Sequence, residues 1–317
     1  MLVRMIASTL LAIEGILASP WKRAPRNVEV ALRRLRAEAS AIPELPTEGA
    51  ASSSAQWAVN TNELRRRILS EDPRDFLRWD VIRRTMFVGS ERYICTELDE
   101  LRNDRAWQLR WKPALREDRI GSPPGYSGYR LTSANMIHHA YHVMRFERAT
   151  GAGIADLDCV FEFGGGYGGM CRLFHRLGFR GRYIILDLPI FSALQRFYLA
   201  CVGPTSSRQG TDVTDMDVHC VSDAEAVAPL LQGSSRLFFA TWSFSEVPKH
   251  VRGLSHDAIS RCTHFMLAYQ DRFEDLVNAS MPVDLAAVAP PSTRWQGQAM
   301  RHLPGSNYMI GCPAPRA

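Results

Sequence analysis

The sequence predicts an α/β fold: an open, mostly parallel sheet flanked by helices, preceded by a helical N-terminal extension. Three observations carry this reading. From residue 158 onward short apolar runs alternate with helical segments, which is the pattern of βαβ units. The first run leads into a glycine-rich loop, Gly164-Gly165-Gly166-Tyr167-Gly168-Gly169. The second run ends in an acid, Asp187. In a sheet of this kind ligands bind beyond the carboxyl ends of the strands, where the strand order reverses.

The extension is expected over residues 1–120. Residues 5–18 are apolar and follow Arg4, a faint likeness to a leader peptide. Glu14 interrupts that run, and it is too short to span a bilayer, so it reads as a helix packed on one face. Val28, Val30, Leu32 and Leu35 lie among Arg and Glu and continue the helical texture to about residue 40. Residues 43–60 read as a loop or linker, with Pro43, Pro46, Gly49 and a run of serines. Residues 61–115 read as helical again.

A second domain is expected over residues 121–317. It opens on a turn-rich stretch, 121–128, and a helix starting near Ser133 and ending near Gly151, with Met136, Ile137, Ala140, Tyr141 and Met144 at helical spacing. Strands are then expected at 158–163, 183–187, 218–221, 237–241, 264–269 and 308–312, with helices at 169–177, 190–201 and 224–231.

Composition narrows the function classes. The chain has 317 residues, 46% of them hydrophobic and 22% charged, as in an ordinary globular protein. A net charge of +5 gives no reason to expect a nucleic-acid partner. Seven scattered cysteines without a C-x-x-C pair argue against a zinc site and a disulfide framework, and fit a cytoplasmic location. No membrane partner is expected, and a homodimer is among the arrangements left open.

The loop indicates the ligand. Gly164, Gly166 and Gly168 let the backbone approach it closely, and the following helix N-terminus offers N–H groups. Gly164-x-Gly166-x-x-Gly169 also satisfies the dinucleotide fingerprint. Glu162 favours another ligand: a carboxylate beside the turn repels a pyrophosphate but suits the sulfonium and ammonium of S-adenosylmethionine. Asp187 can accept ribose hydroxyls from either cofactor.

Glu162-x-Gly164-x-Gly166-x-Gly168 resembles motif I of class I S-adenosylmethionine-dependent methyltransferases. The longer run from Phe161 to Gly169, followed by Leu186-Asp187-Leu188-Pro189, resembles the bacterial sugar O-methyltransferase family. Ser243-Phe244-Ser245-Glu246 and Asn307-Tyr308-Met309-Ile310 are similar to further blocks of that family. The resemblance spans residues 120–312. It implies a Rossmann-like seven-stranded sheet with the last strand antiparallel, S-adenosylmethionine as cofactor, and an acceptor that is a sugar, a glycoside or another hydroxylated small molecule. Cofactor contacts are then expected from Glu162, Gly164, Gly165, Gly166, Tyr167, Gly168, Asp187, Leu188 and Ser243, with Thr241 and Trp242 alongside and Asp223 near the adenine.

Methyl transfer to oxygen gains from a general base. Glu246, just past the fourth strand, is the first candidate, although it could instead cap the next helix. His302, in the connection before the last strand, is the second, and His138 and His139 could cover the cofactor. Asp271 and Asp275 do not make a convincing metal cluster, so no metal is expected. The arginine runs at residues 33–36 and 65–67 could meet a phosphate on the acceptor or form a solvated helix face. Two other function classes use the same loop: an NAD(P)-dependent oxidoreductase, against which the lack of a Tyr-x-x-x-Lys pair also counts, and a non-catalytic cofactor-binding protein.

Overall fold

The computed structural model describes residues 28–47, 53–203 and 217–314; the apolar run at 5–18 lies outside them. Helix α1 (Val28–Ala41) buries Val28, Ala31, Leu32, Leu35 and Ala39, one stripe at helical spacing. Helix α2 (Ser53–Ser70) begins inside the stretch expected to be a loop. Ala58, Thr61, Leu64 and Ile68 are buried along one of its faces. Trp57 meets Phe191 edge-on at 6.0 Å. That stripe forms only if residues 53–60 are helical, and packing outweighs the serine-rich texture. The Asn62 side chain fastens the preceding loop to α2, accepting from Leu45 N (2.9 Å) and donating to Leu45 O (2.8 Å).

The region 61–115 is helical in pieces. Asp72 caps a turn at Pro73–Arg78 by accepting the Arg74 N–H. Helices α3 (Asp80–Thr85) and α4 (Tyr93–Arg102) follow, then a wide turn at Trp107–Trp111. Helix α5 (Ala134–Thr150) starts where expected. Ser133 accepts from Met136 N, and Gly151, at φ +73°, ends it in the left-handed conformation.

The main sheet has seven strands: β1 (Cys159–Phe163), β2 (Arg182–Leu186), β3 (Val218–Val221), β4 (Arg236–Thr241), β5 (His264–Gln270), β6 (Thr293–Ala299) and β7 (Ser306–Pro313). Their order is β3-β2-β1-β4-β5-β7-β6. The pairs linking β1 to β5 are parallel, and β7 runs antiparallel to both β5 and β6. This is the Rossmann-like α/β arrangement expected from the sequence. Strand β6 was not expected. A further two-stranded hairpin, Arg272–Phe273 with Leu276–Val277, decorates the connection after β5.

Alternation along the strands divides the core in two. Cys159, Phe161 and Phe163 of β1 face one layer, with Ile184, Leu186, Phe238 and Phe265. Val160 faces the other, with Tyr183, Ile185, Phe239 and Tyr308. Helices α5, α6 (Gly169–Arg176) and α7 (Pro189–Val202) cover this second face. Helices α1 to α4 join the same apolar core rather than a separate one. Helix α1 packs along α7, with an Arg196–Glu38 ion pair of 2.7 Å at their contact. The helix expected at 224–231 is a tight turn at Ala224–Ala226 and a single helical turn, Val227–Leu230. Among the described residues no helix is long and apolar enough to cross a membrane. Cys159 and Cys171 are buried free thiols within the core.

Candidate active site

The strand order reverses between β1 and β4, so a crevice opens beyond their carboxyl ends. A cavity of about 630 Å³ lies there, a size suited to a small-molecule ligand. Its walls include 162–167, Leu186, Asp187, Leu188, Thr241, Trp242, Ser243 and Glu246 from the sheet side. The helical side contributes Leu45, Trp57, Met86, Phe87, Asn135, His138 and His139, among others.

The loop after β1 holds three left-handed glycines, Gly164 at φ +71°, Gly166 at +57° and Gly168 at +89°. A methyl group on Gly164 would collide with the Cβ of Ser243, whose hydroxyl donates to Phe163 O. One on Gly165 would sit 2.5 Å from Ile185 Cγ2 and 3.0 Å from Glu162 Oε2. The loop is therefore folded tightly onto β2 and β4. Gly168 begins α6. Arg172, buried on that helix, bonds Asp118 at 2.7 Å and also donates to Arg116 O, tying α6 to the segment before α5.

Glu162 is buried, on the helix-covered face of β1. Its carboxylate accepts from Tyr183 Oη at 3.0 Å. Burial pushes its pKa up to about 8; the Tyr183 hydroxyl works against that rise, and Asp187 adds to it. A solvated strand end is excluded. Asp187 accepts from Gly166 N (3.0 Å), Leu188 N (2.8 Å) and Gln195 Nε2 (2.9 Å). Burial raises it to about 7 against those three donors. Among the described residues these acids have no guanidinium or ammonium partner, so the positive charge of a cationic ligand here would draw both towards ionisation.

Glu246 lies in the turn beyond β4 and borders the cavity. Burial, and secondarily the Glu274 carboxylate, raise it to about 7. It does not cap the next helix, Lys249–Gly253, whose N-cap is Pro248. Trp242, before it, adopts φ +69°, a strained backbone for a non-glycine residue. Its N–H bonds Ala268 O at 2.7 Å, and its ring lies parallel to His138 at 5.9 Å.

His302 is not among the cavity-lining residues. It belongs to a buried polar network. His302 Nε2 and His138 Nδ1 both meet the Glu97 carboxylate at 2.9 Å. His138 Nε2 meets His142 Nε2 at 3.1 Å, and His142 Nδ1 meets Tyr308 Oη at 2.7 Å. One assignment of the ring protons satisfies every link: Tyr308 donates to His142, His142 to His138, and His138 and His302 to Glu97. Burial alone would raise Glu97, but its interactions with His138 and then His302 outweigh it and hold it below the usual carboxylate value. With both nitrogens of His138 engaged, the network fixes His138 and Trp242 in the cavity wall.

Tyr167 lines the cavity, and its hydroxyl accepts from Asn135 Nδ2 at 3.0 Å; Asn135 Oδ1 in turn accepts from Val88 N at 3.0 Å. Asn135 thus joins the glycine loop to the helical wall. His139 also lines the cavity, kept neutral by burial, then by His138 and Arg172, with a pKa lowered to about 3. Leu188 is more than a third exposed at the rim. Asp223 is exposed, caps the turn at Ala224–Ala226 and does not line the cavity; its neighbours Ser222 and Ala224 do. His250 is exposed. Asp271 accepts from Asn307 Nδ2 at 2.7 Å. Among the described residues no group of three or more His, Cys, Asp or Glu side chains is arranged to hold a metal.

Sequence reasoning missed Tyr183, Gln195, Asn135, Glu97 and Trp57. Tyr183 offered one signal, a hydroxyl in an otherwise apolar strand beside an acid-bearing one. The others come from segments whose approach to the loop only the tertiary fold creates. The arginine runs do not reach the cavity. Arg34 pairs with Glu38, Arg36 bonds Glu71 O, Arg65 bonds Ala39 O, and Arg67 pairs with Glu63 and Glu71.

No family model and no curated protein matches this chain. Solved structures resemble it at low identity. EvdMO1 shares 13% identity over 59% of this chain, with a TM-score of 0.39, and the chain spans only 43% of its length. The glycopeptide N-methyltransferase MtfA complexed with S-adenosyl-L-methionine shares 12% over 55% of this chain and 94% of its own, with a TM-score of 0.38. MtNAS in complex with MTA and tNA shares 12% over 91% of this chain and 97% of its own, with a TM-score of 0.36. Likenesses this distant leave the activity to be read from the site itself.

Proposed function

We infer that this chain is an S-adenosylmethionine-dependent O-methyltransferase acting on a small hydroxylated acceptor, a sugar or glycoside by its sequence resemblance. The observation that carries the reading is the pair of buried acids, Glu162 and Asp187, flanking a glycine turn with no basic side chain among the described residues to neutralise them. A diphosphate would hold Glu162 protonated and gain nothing from it, whereas a sulfonium and an ammonium draw it towards ionisation and gain from its carboxylate. The cradle fits the group. Gly164 and Gly166 line it, Asp187 can reach ribose hydroxyls, and Glu162, Tyr167, Leu188 and Ser243 border the same space. Bound there, S-adenosylmethionine supplies an electrophilic methyl group.

The chain's own residues then do three things. The apolar wall of Trp57, Met86, Phe87 and Trp242 excludes water. The glycine loop and the Glu97-supported wall hold the two reactants in fixed orientation. Glu246 accepts the acceptor's hydroxyl proton as the methyl group passes from sulfur to oxygen; a carboxyl group titrating near 7 is suited to that transfer at neutral pH.

Calorimetry with S-adenosylmethionine, S-adenosylhomocysteine and NADH tests the reading. The two adenosyl compounds should bind and NADH should not; the reverse order of affinity overturns it. Once an acceptor is in hand, Glu246→Gln should bind S-adenosylhomocysteine as the wild type does and lose about 100-fold in kcat. Unchanged kcat removes Glu246 from the mechanism.

A further inference from the structure

The cavity is charged unevenly. Its three carboxylates, Glu162, Asp187 and Glu246, all come from the sheet side. Among the described residues the helical side contributes no carboxylate to the wall but two guanidinium groups, Arg83 and Arg84, in the last turn of α3. Arg84 is already engaged, by Glu63 and by Asn60 Oδ1 at 3.1 Å. Arg83 is different. It is exposed, and among the described residues its guanidinium makes no hydrogen bond or ion pair. It stands between the cavity and an adjoining hollow that Asp80 and Glu91 also border, and neither acid pairs with it. Beside it the wall is apolar, formed by Met86, Phe87 and Val88.

An unpaired guanidinium on the rim of a largely apolar cavity whose acids all come from the sheet side suits one kind of ligand group. A carboxylate or phosphate can take two parallel N–H bonds from it. We propose that the acceptor is an anionic molecule whose carboxylate or phosphate is held by Arg83 at the helical rim while its hydroxyl reaches towards Glu246. This rests on the methyl-transfer reading above and adds the charge class of the substrate.

The test uses the full chain saturated with S-adenosylhomocysteine and three probes: glucose, glucose 1-phosphate and glucuronate. At least one anionic probe should bind, at least tenfold more tightly than glucose, and weaken as salt is raised. Whichever anion binds better identifies phosphate or carboxylate as the natural group. Arg83→Ala should cut that affinity at least fivefold, and Arg83→Lys should restore part of it. Arg33→Ala, which removes the same charge from the exposed face of α1, should change nothing. S-adenosylhomocysteine affinity should be the same in all variants, which shows that each is folded. Equal binding of glucose and the anions, no binding of either anion, or an equal effect of Arg83→Ala and Arg33→Ala overturns the proposal and leaves the methyl-transfer reading standing. Failure of the wild type to bind S-adenosylhomocysteine overturns both.

Discussion

The glycine-loop end of the cavity is drawn almost entirely from residues 162–188, whereas the opposite wall collects Leu45, Trp57, Met86 and His138 from four separate segments. The first end is a local object: strand, turn, helix, strand, with its acids fixed by position in the chain. The second is held by side chains far apart in sequence, Glu97 to His302 and His142 to Tyr308. A local site should fail by changes in its own backbone. An assembled site should fail by loss of a distant support.

The largest expected effect breaks the local end. Gly164→Val forces a β-branched residue to φ +71° and drives its Cβ into Ser243. Backbone strain alone costs about 1–3 kcal/mol, and S-adenosylhomocysteine binding should disappear from a calorimetric titration. Retained binding would show that the turn is not the cofactor seat. Next, Glu97→Ala should destabilise the fold by about 3–5 kcal/mol in denaturant unfolding, because it removes the buried carboxylate that two histidine N–H groups share. A loss below about 1 kcal/mol would mean the assembled wall does not depend on this hub.

A smaller effect separates the two ends by pH. Glu162, at about 8, and Asp187 and Glu246, at about 7, all sit above their unfolded values. The folded, ligand-free protein therefore holds more protons than the unfolded chain over roughly pH 4 to 8. These acids favour folding fully below their unfolded pKa values, and that contribution is lost as pH rises through 7 to 8. The apo melting temperature should fall from pH 5 to 8, and Glu162→Gln should flatten the fall. A cationic ligand favours the ionised acids, so S-adenosylmethionine binding near pH 7 should release protons. Titrations in two buffers of different ionisation enthalpy measure this, and identical heats would count against the acid-lined end as its seat. The smallest effect lies outside both ends: Arg34→Ala, at an exposed pair with Glu38, should change stability by less than about 0.5 kcal/mol.

The same contrast explains what was legible in the sequence. Ser133 and Gly151 marked the ends of α5 because capping is a local interaction. Strands β1, β2 and β4 are buried in near-continuous apolar runs and were located closely. Strand β6 was missed because Thr-Arg-Trp-Gln-Gly-Gln-Ala is largely exposed, and only its pairing with β7 makes it a strand. Residues 53–60 looked like a loop because the apolar surface that makes them helical belongs to α7, more than a hundred residues away. Glu246 could be placed from its position after a strand. Arg83 could not, since nothing in the sequence distinguishes it from the other arginines of the extension.

The position of β7 has a consequence for how the chain is made. It lies between β5 and β6, yet it is synthesised after both. Until residues 306–313 leave the ribosome, β5 keeps an open hydrogen-bonding edge and β6 has no neighbour to pair with. The same segment carries Tyr308, whose hydroxyl meets His142 Nδ1 at 2.7 Å. The support behind His138 is therefore completed only after β5 and β6 have been made, and until then the open edge of β5 is exposed to edge-to-edge aggregation.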